Sequence, residues 1–356
     1  KHLFARLDHN LESVKPGLYT VELPDYGVNV RLTTTDRTGL HEYTFTDEQS
    51  AILIDPCTGV CGDRTTDWSL EVVDPTHVKG FRHSEGWANH IVYFVAEFSE
   101  PIIGQEEMHI VHDEYATALK FDTSKEKKVL VKVGISAVSC ENAAENLAAE
   151  LPGWDFDRVY AETKNKWNEE LGRIDIEPMD EKQQRIFYTA MYHAMMAPAL
   201  FSDVDGRYRG ADGNIYHSAT PRYTNFSLWD TYRAKQPLMT IIQAERAGQF
   251  VSSMIDICDR QGDLPVWHLW GNETNCMVGD PAIPVVADAI VKGIQGFDHD
   301  RAFEAIKQTA ATPERGKQFR HAYGYIPCNL MNESVAFDME YALADGAAAQ
   351  AAKALG

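Results

Sequence analysis

Two short stretches of this 356-residue sequence gather side chains able to bind a polar, ring-shaped ligand. The first is Tyr223-Thr224-Asn225-Phe226-Ser227-Leu228-Trp229-Asp230-Thr231-Tyr232-Arg233, which sets an aromatic, a carboxylate and a guanidinium side by side at a predicted helix start. Aromatic faces pack on the apolar C–H faces of sugars, and Asp and Arg supply the paired hydrogen bonds that hydroxyls need. The competing reading is an ion pair between Asp230 and Arg233, three apart on a helix. The second stretch is Trp267-His268-Leu269-Trp270-Gly271-Asn272-Glu273-Thr274-Asn275-Cys276-Met277. Two tryptophans beside Glu273, flanked by Asn272 and Asn275, have the character of a polar-ligand pocket wall. The alternative is a loop in which Asn and Thr cap the next turn and tryptophan fills core.

Hydrolysis of a glycosidic bond needs two carboxyl groups, held about 6.5 to 9.5 Å apart where the anomeric centre is inverted. Asp230 and Glu273 form the pair set in aromatic, loop-rich surroundings. The stretch Asp203-Val204-Asp205-Gly206-Arg207 looks superficially like a calcium loop, but the later ligand positions of an EF-hand are missing and a turn is expected. Arg82 to Asn89 reads as a polar insert before the strand that opens at Ile91. Within it, Trp87 either leans on a ligand or covers the open end of a sheet. The scattered histidines, among them His2, His9, His41 and His77, show no ligand spacing, so no metal site is assigned. Cys57 and Cys61 form either a small loop disulfide or two free thiols.

The elements that must position these residues fall into two kinds. From Tyr19 to about Ser139 the apolar period is two: Tyr19, Val21 and Leu23; Val28, Val30 and Leu32; Ile91, Tyr93 and Val95; Val129, Val131 and Val133. Turn signals such as Pro24-Asp25-Tyr26-Gly27 and Arg37-Thr38-Gly39 come at short intervals, which predicts an antiparallel sandwich. After Glu141 the period becomes helical. Helices are expected over 141–151 and 155–171, and another opens at Asp180 with Gln183 in capping-box spacing. That one places Ile186, Phe187, Ala190, Met191, Ala194 and Met195 on one face before Pro198. Further helices are expected from Ala244 to about Arg260, stopped by Gly262; from Asp280-Pro281, as N-cap and first residue, to Lys292; over 301–311, capped by Asp300; and from Ser334 to Leu355. The long loops 202–227 and 262–280 are rich in Gly, Asp, Asn, Tyr and Trp, which favours a functional role. The division is thus a β-sandwich over residues 1–140, a helical linker over 141–178 and a helical domain over 179–356.

Composition narrows the partners. With 33 Lys and Arg against 53 Asp and Glu, a formal charge of -20, the chain is a poor match for nucleic acid, whose affinity comes from cations meeting phosphates. No apolar run approaches the roughly 20 residues of a membrane span, and the first ten residues carry no signal-peptide pattern.

Taken together, these segments resemble glycoside hydrolase family 92, the exo-acting α-mannosidases. The resemblance lies in Leu200-Phe201-Ser202-Asp203-Val204-Asp205-Gly206-Arg207-Tyr208-Arg209-Gly210, in Tyr223 to Ala234, and in Gly271 to Met277. It extends more loosely to Gly86-Trp87-Ala88-Asn89, to Tyr93 to Ser99, to Asn332-Glu333-Ser334-Val335 and to Glu340-Tyr341-Ala342. It implies an antiparallel β-sandwich followed by an (α/α)6 helical barrel, only partly present in this chain. It also implies calcium-dependent, inverting release of terminal α-linked mannose from mannosides or N-glycans, by a secreted, periplasmic or cell-surface protein. Carried over, Asp230 contacts the terminal mannose, Trp229, Asn272, Glu273 and Asn275 line or support the pocket, and Trp87 approaches from the β domain. The family's general acid, general base and calcium-binding carboxylates lie in motifs that do not occur here. This chain is therefore expected to be an internal portion that needs the remainder of its polypeptide, with the calcium ligands outside it. The alternatives are another (α/α)6-barrel glycosidase or phosphorylase, with Asp230 and Glu273 as acid and base, or a non-catalytic sugar-binding protein.

Overall fold

A computed structural model describes residues 5–58, 63–109, 115–177 and 180–356. They form two compact units, Lys1–Tyr188 with Asp203–Asp205, and Thr189–Ser202 with Gly206–Gly356. Cys61, and with it any pairing to Cys57, lies outside the described residues.

The first unit is built on strands whose side chains alternate between two faces. They are β1 (Glu12–Lys15), β2 (Leu18–Leu23), β3 (Val28–Thr34), β4 (Thr38–Phe45), β5 (Gln49–Ile54), β6 (Arg64–Asp74), β7 (His77–Glu85), β8 (His90–Phe98), β9 (Ile102–His109), β10 (Tyr115–Asp122) and β11 (Lys128–Ser136). Eight of them make one antiparallel sheet in the order β1-β2-β3-β4-β11-β8-β7-β6, and β5-β10-β9 make a second. Val129, Val131, Ala96 and Phe98 project from the large sheet onto Leu119 and Phe121 of the small one, with the Phe98 and Phe121 rings 5.3 Å apart. This is the sandwich core, and each fully buried Leu or Phe there contributes about 1.5 to 3 kcal/mol.

Because a strand shows alternate residues to opposite faces, Leu40, Val95 and Leu130 point the other way. They meet Leu147, Leu151, Phe156 and Val159 of two helices, α1 (Cys140–Glu150) and α2 (Phe156–Leu171), and of the link between them. Both helices open on side-chain caps: Ser139 Oγ accepts from Asn142 N at 3.2 Å, and Asp155 Oδ1 from Arg158 N at 3.0 Å. Arg82 to Glu85, expected as a polar insert, instead complete β7. Arg82 is paired with Trp68 on one side and Val92 on the other, and Ser84 is buried. Pairing on both edges satisfies the backbone, so polar side chains are no bar to a strand there. Asp203–Asp205 also belong to this unit. Asp203, 4% exposed, accepts from Ser136 Oγ and Asn146 Nδ2 at 2.7 Å each, and Asp205 accepts from Asn142 Nδ2 at 3.1 Å. The stretch is a turn that ties itself to α1 and β11.

In the second unit the helices carry the core. Helix α3 (Glu181–Met195), whose residues up to Tyr188 are counted with the first unit, begins at Asp180, whose Oδ1 accepts from Gln183 N at 2.8 Å. Of its expected apolar face only Met191 is buried, and Ile186 is 60% exposed: a stripe is buried only where something packs on it, and the described residues leave most of this one uncovered. Five short strands and their turns follow, β12 (Ala199–Leu200), β13 (Arg207–Arg209), β14 (Ile215–His217), β15 (Tyr223–Thr224) and β16 (Phe226–Ser227), with β12 paired to β15 and β13 to β14, then α4 (Leu228–Thr231) and α5 (Lys235–Ile242). Helix α6 (Ala244–Gln261) ends at Gly262, φ 100°. After β17 (Trp267–Leu269) and β18 (Asn272–Glu273) come α7 (Ala282–Val291), α8 (His299–Ala311), α9 (Lys317–Tyr323) and α10 (Ser334–Leu355). Phe250, Met254 and Ile257 of α6 pack with Ile283, Val286 and Ile290 of α7, Ala302 and Ile306 of α8, and Ala344 and Ala351 of α10. Among the described residues these helices do not close into a barrel.

Two expected caps move. Asp298, not Asp300, caps α8, accepting from Arg301 N at 3.0 Å. Asp280 gives no side-chain cap to α7, because its carboxylate is buried against Lys317 Nζ at 2.9 Å. A buried carboxylate must find a cation before it serves a helix end.

Candidate functional site

The two candidate segments meet in one small antiparallel sheet of the second unit. Strand β17 lies between β16 and β18, pairing His268 with both Phe226 and Glu273, Ser227 with Trp267, and Leu269 with Asn272. Residues 40 positions apart in sequence are therefore neighbours, and Trp229, Asp230, Asn272, Glu273 and Asn275 all hang from this sheet or from the turns that follow it.

Asp230 stands in the single turn of α4 and is exposed. Ser227 Oγ donates to its Oδ2, and Thr231 Oγ1 closes the turn on Ser227 O at 2.7 Å. Arg233, offered above as its ion-pair partner, goes elsewhere: it pairs with Glu340 of α10, which also accepts from Tyr232 Oη at 2.7 Å. Asp230 is left with carboxylate capacity facing outward. Trp229 is half-buried among Val278, Phe319, Ile326, Met331 and Phe337, and its indole N–H is buried without a hydrogen-bond partner among the described residues. Its ring thus fills the hydrophobic cluster beneath Asp230.

Glu273 serves its own loop. Oε2 accepts from Val266 N at 2.9 Å, and Oε1 accepts from Trp267 N at 2.9 Å and Asn275 N at 2.8 Å. Three main-chain donors occupy this carboxylate, which draws the two arms of the 266–275 hairpin together. Asn272, half-buried, pairs with Leu269, and Asn275 is exposed. The loop needs such fastening because it is strained: Trp270, Asn275 and Met277 have φ of 45°, 51° and 72°, and Asn225 on the facing segment has 62°. The left-handed region costs an ordinary residue about 1 to 2 kcal/mol, and such residues cluster where a loop is held in a functional shape. At Gly279, φ 79°, an added Cβ would lie 2.4 Å from Cβ of Glu340. The loop's end is therefore pressed against the same α10 residue that holds Tyr232 and Arg233.

Beneath both segments lies His268, 2% exposed, with Nδ1 3.2 Å from Thr224 Oγ1. Burial pushes its pKa down to about 4, so the ring is neutral at pH 7. Among the described residues its Nε2 and Arg222 Nε have no hydrogen-bond partner, and both residues line a cavity, with Tyr208, Ser253 and Asp256, that has room for about one water molecule. Trp87, in the first unit, lies in the turn between β7 and β8, 43% exposed, with its main-chain N–H on Asp63 Oδ1 at 2.7 Å.

The model of the glycosyl hydrolase family 92 N-terminal domain matches residues 2–136, and that of the family 92 catalytic domain matches residues 142–356. The chain belongs to glycosyl hydrolase family 92. Among solved structures, a family GH92 alpha-mannosidase of Bacteroides thetaiotaomicron is 35% identical and superimposes with a TM-score of 0.92, over 99% of this chain and 50% of that one. A family GH92 inverting mannosidase of the same organism is 26% identical with a TM-score of 0.86, over 98% and 51%. A protein of Arthroderma benhamiae named as an uncharacterized secreted glycosidase is 26% identical over 264 residues, 67% of this chain and 30% of its own. The chain thus spans about half the length of the solved relatives it matches.

The family resemblance implies a calcium ion. Among the described residues no group of three or more His, Cys, Asp or Glu side chains could hold a metal ion, so none is assigned to one. No helix among them is long and apolar enough to cross a membrane. His268, Arg315 and Glu340, which hold the two segments in place, were not singled out from the sequence. Glu340 stood within a matching motif, and Arg315 carried no local signal.

Proposed function

We propose that this chain is the part of an α-mannosidase that grips the terminal mannose, with Asp230 as its acceptor for sugar hydroxyls. The observation that carries the reading is the meeting of Asp230, its carboxylate turned outward, with the strained 270–277 loop across one small sheet of a family 92 catalytic domain. Support comes from the Bacteroides alpha-mannosidase, whose structure has also been solved in complex with mannoimidazole, and from a second relative described as an inverting mannosidase. Trp229, Asn272 and Glu273 shape the pocket from below, and Asn275 faces the sugar. On this reading the whole protein releases terminal α-linked mannose from mannosides or N-glycans with inversion and depends on calcium. It acts outside the cytoplasm, in keeping with the secreted glycosidase of Arthroderma benhamiae. Its acid and base stand on residues other than Glu273, whose carboxylate is taken up by main-chain donors.

Asp230→Asn tests the grip. Asparagine keeps an acceptor but gives up the charge, a drop of about 1 kcal/mol per hydrogen bond, which should weaken binding of methyl α-mannoside by roughly 5-fold for each hydroxyl held. Unchanged affinity would remove Asp230 from the site. Mannose release from α-linked mannobioses by a protein of the relatives' full length, with calcium and with a chelator, tests the activity; activity that survives chelation would rule out the calcium dependence.

A further inference from the structure

We propose that Arg315 is a positioning residue of this site, and that it turns the Asn275 side chain so that a hydrogen-bond donor, and no acceptor, is offered to the bound mannoside; this rests on the mannoside reading above. Arg315 precedes α9 and reaches back across the end of the 265–280 loop. Its Nη1 donates to Asn275 O at 2.8 Å and to Asn275 Oδ1 at 3.1 Å, and its Nη2 donates to Met277 O at 2.8 Å and Gly279 O at 3.1 Å. One guanidinium therefore holds three carbonyls from residues at φ 51°, 72° and 79°, the alternate left-handed positions of the loop. Arg315 is itself fastened, because Tyr341 Oη of α10 donates to its carbonyl at 2.7 Å and its guanidinium lies 5.5 Å from the Phe337 ring.

The chemistry of the two side chains fixes the orientation of the amide. A guanidinium has donors only, so the Asn275 atom that faces it must be the oxygen. The main-chain groups of Asn275 are also spent, N–H on Glu273 Oε1 at 2.8 Å and C=O on Arg315. An exposed residue is left with one polar group to show a ligand, the side-chain NH2 with its two donors. Asp230 offers the complement, carboxylate capacity that only accepts. A sugar hydroxyl both donates and accepts, so hydroxyls placed between these two segments can satisfy each in turn, whereas a carboxylated sugar would meet Asp230 with like charge.

The test is a double-mutant cycle read by methyl α-mannoside affinity, followed by tryptophan fluorescence, alongside the thermal unfolding midpoint. Asn275→Asp keeps an acceptor for Arg315 and so should keep the midpoint, but it replaces the donor and should weaken binding about 3- to 10-fold. Arg315→Lys puts a point donor where a planar fork spanned four oxygens, and should weaken binding by a similar factor. In the double variant the losses should not multiply, because both changes remove one contact. Multiplying losses, or an Arg315→Lys variant that unfolds earlier yet binds mannoside as before, would overturn the inference and leave the mannoside reading standing. Should Arg315→Lys fail to fold, unchanged affinity in Asn275→Asp overturns it alone. No binding by the unsubstituted chain would take down both.

Discussion

Replacing Glu273 by glutamine separates a structural carboxylate from a catalytic one. In the folded loop Glu273 receives three main-chain N–H groups, two on Oε1 and one on Oε2. Hydrogen bonds to a charged acceptor are worth about 1.5 to 3 kcal/mol each, and neutral ones about 0.5 to 1.5. Glutamine can keep its oxygen under Trp267 N and Asn275 N, so those two bonds drop by about 1 kcal/mol apiece. Its NH2 then faces Val266 N, donor against donor, and that third bond is lost outright. The sum is a loss of about 3.5 to 5 kcal/mol, large beside the 5 to 15 kcal/mol of a typical domain. Urea unfolding should show a lower midpoint at unchanged slope, since the surface exposed on unfolding stays the same. Methyl α-mannoside affinity, measured where both proteins are folded, should fall less than in Asp230→Asn. A glutamine variant of wild-type stability that no longer binds the sugar would refute this, and would return Glu273 to direct contact with the ligand.

Two further perturbations probe the frame beneath the site. His268 titrates near 4 when folded and near 6.5 when unfolded, so the unfolded chain binds the extra proton between those values. Its contribution is whole above about pH 6.5 and is lost as pH falls towards 4, at most about 3 kcal/mol; a His268→Gln variant whose stability keeps the parent's dependence in that window would show that other groups set it. Lys317→Met leaves Asp280 buried, 5% exposed, with its ion-pair partner gone, and should cost about 3 to 5 kcal/mol in urea unfolding. Adding Asp280→Leu should restore most of that loss, and a double variant no better than the single would show that the pair matters for shape and not for charge.

How much of this was legible beforehand depended on how local the deciding interaction is. Strands β2 and β3 follow a period-two alternation that burial on one face writes directly into sequence, whereas β8 and β11 are covered on both faces. Helix α3 opens at Asp180 and α6 stops at Gly262 for reasons contained within four residues. The cap of α8 was read two residues late because Asp298 and Asp300 are equally good cap types, and only geometry decides which one the chain uses. Asp280 was misread as a cap for a different reason: its partner Lys317 is 37 residues away. The two candidate segments were found by composition, but their adjacency was invisible, because it rests on a strand pairing across some 40 residues between stretches of two and three residues. Arg315 was missed altogether, since a guanidinium that binds main-chain carbonyls leaves no mark on the residue types it binds.

The distribution of strain carries the argument one step further. Among the described residues six non-glycine positions have positive φ, and four of them, Asn225, Trp270, Asn275 and Met277, lie in the two candidate segments, with Arg315 a fifth. Asparagine tolerates that region, but tryptophan and methionine gain nothing there, and a loop that merely joined β18 to α7 would relax or carry glycine. It stays because the strain is opposed on three sides: by Glu273 on the hairpin's N–H groups, by Arg315 on its carbonyls, and by Glu340, which packs on Gly279 while holding Tyr232 and Arg233. Among the described residues none of the three clamps bonds the carboxylate of Asp230, and Arg315 takes only the oxygen of the Asn275 side chain. The shape of the loop is therefore set by the protein before any ligand arrives, and the ordering cost of binding falls on the sugar and not on the chain.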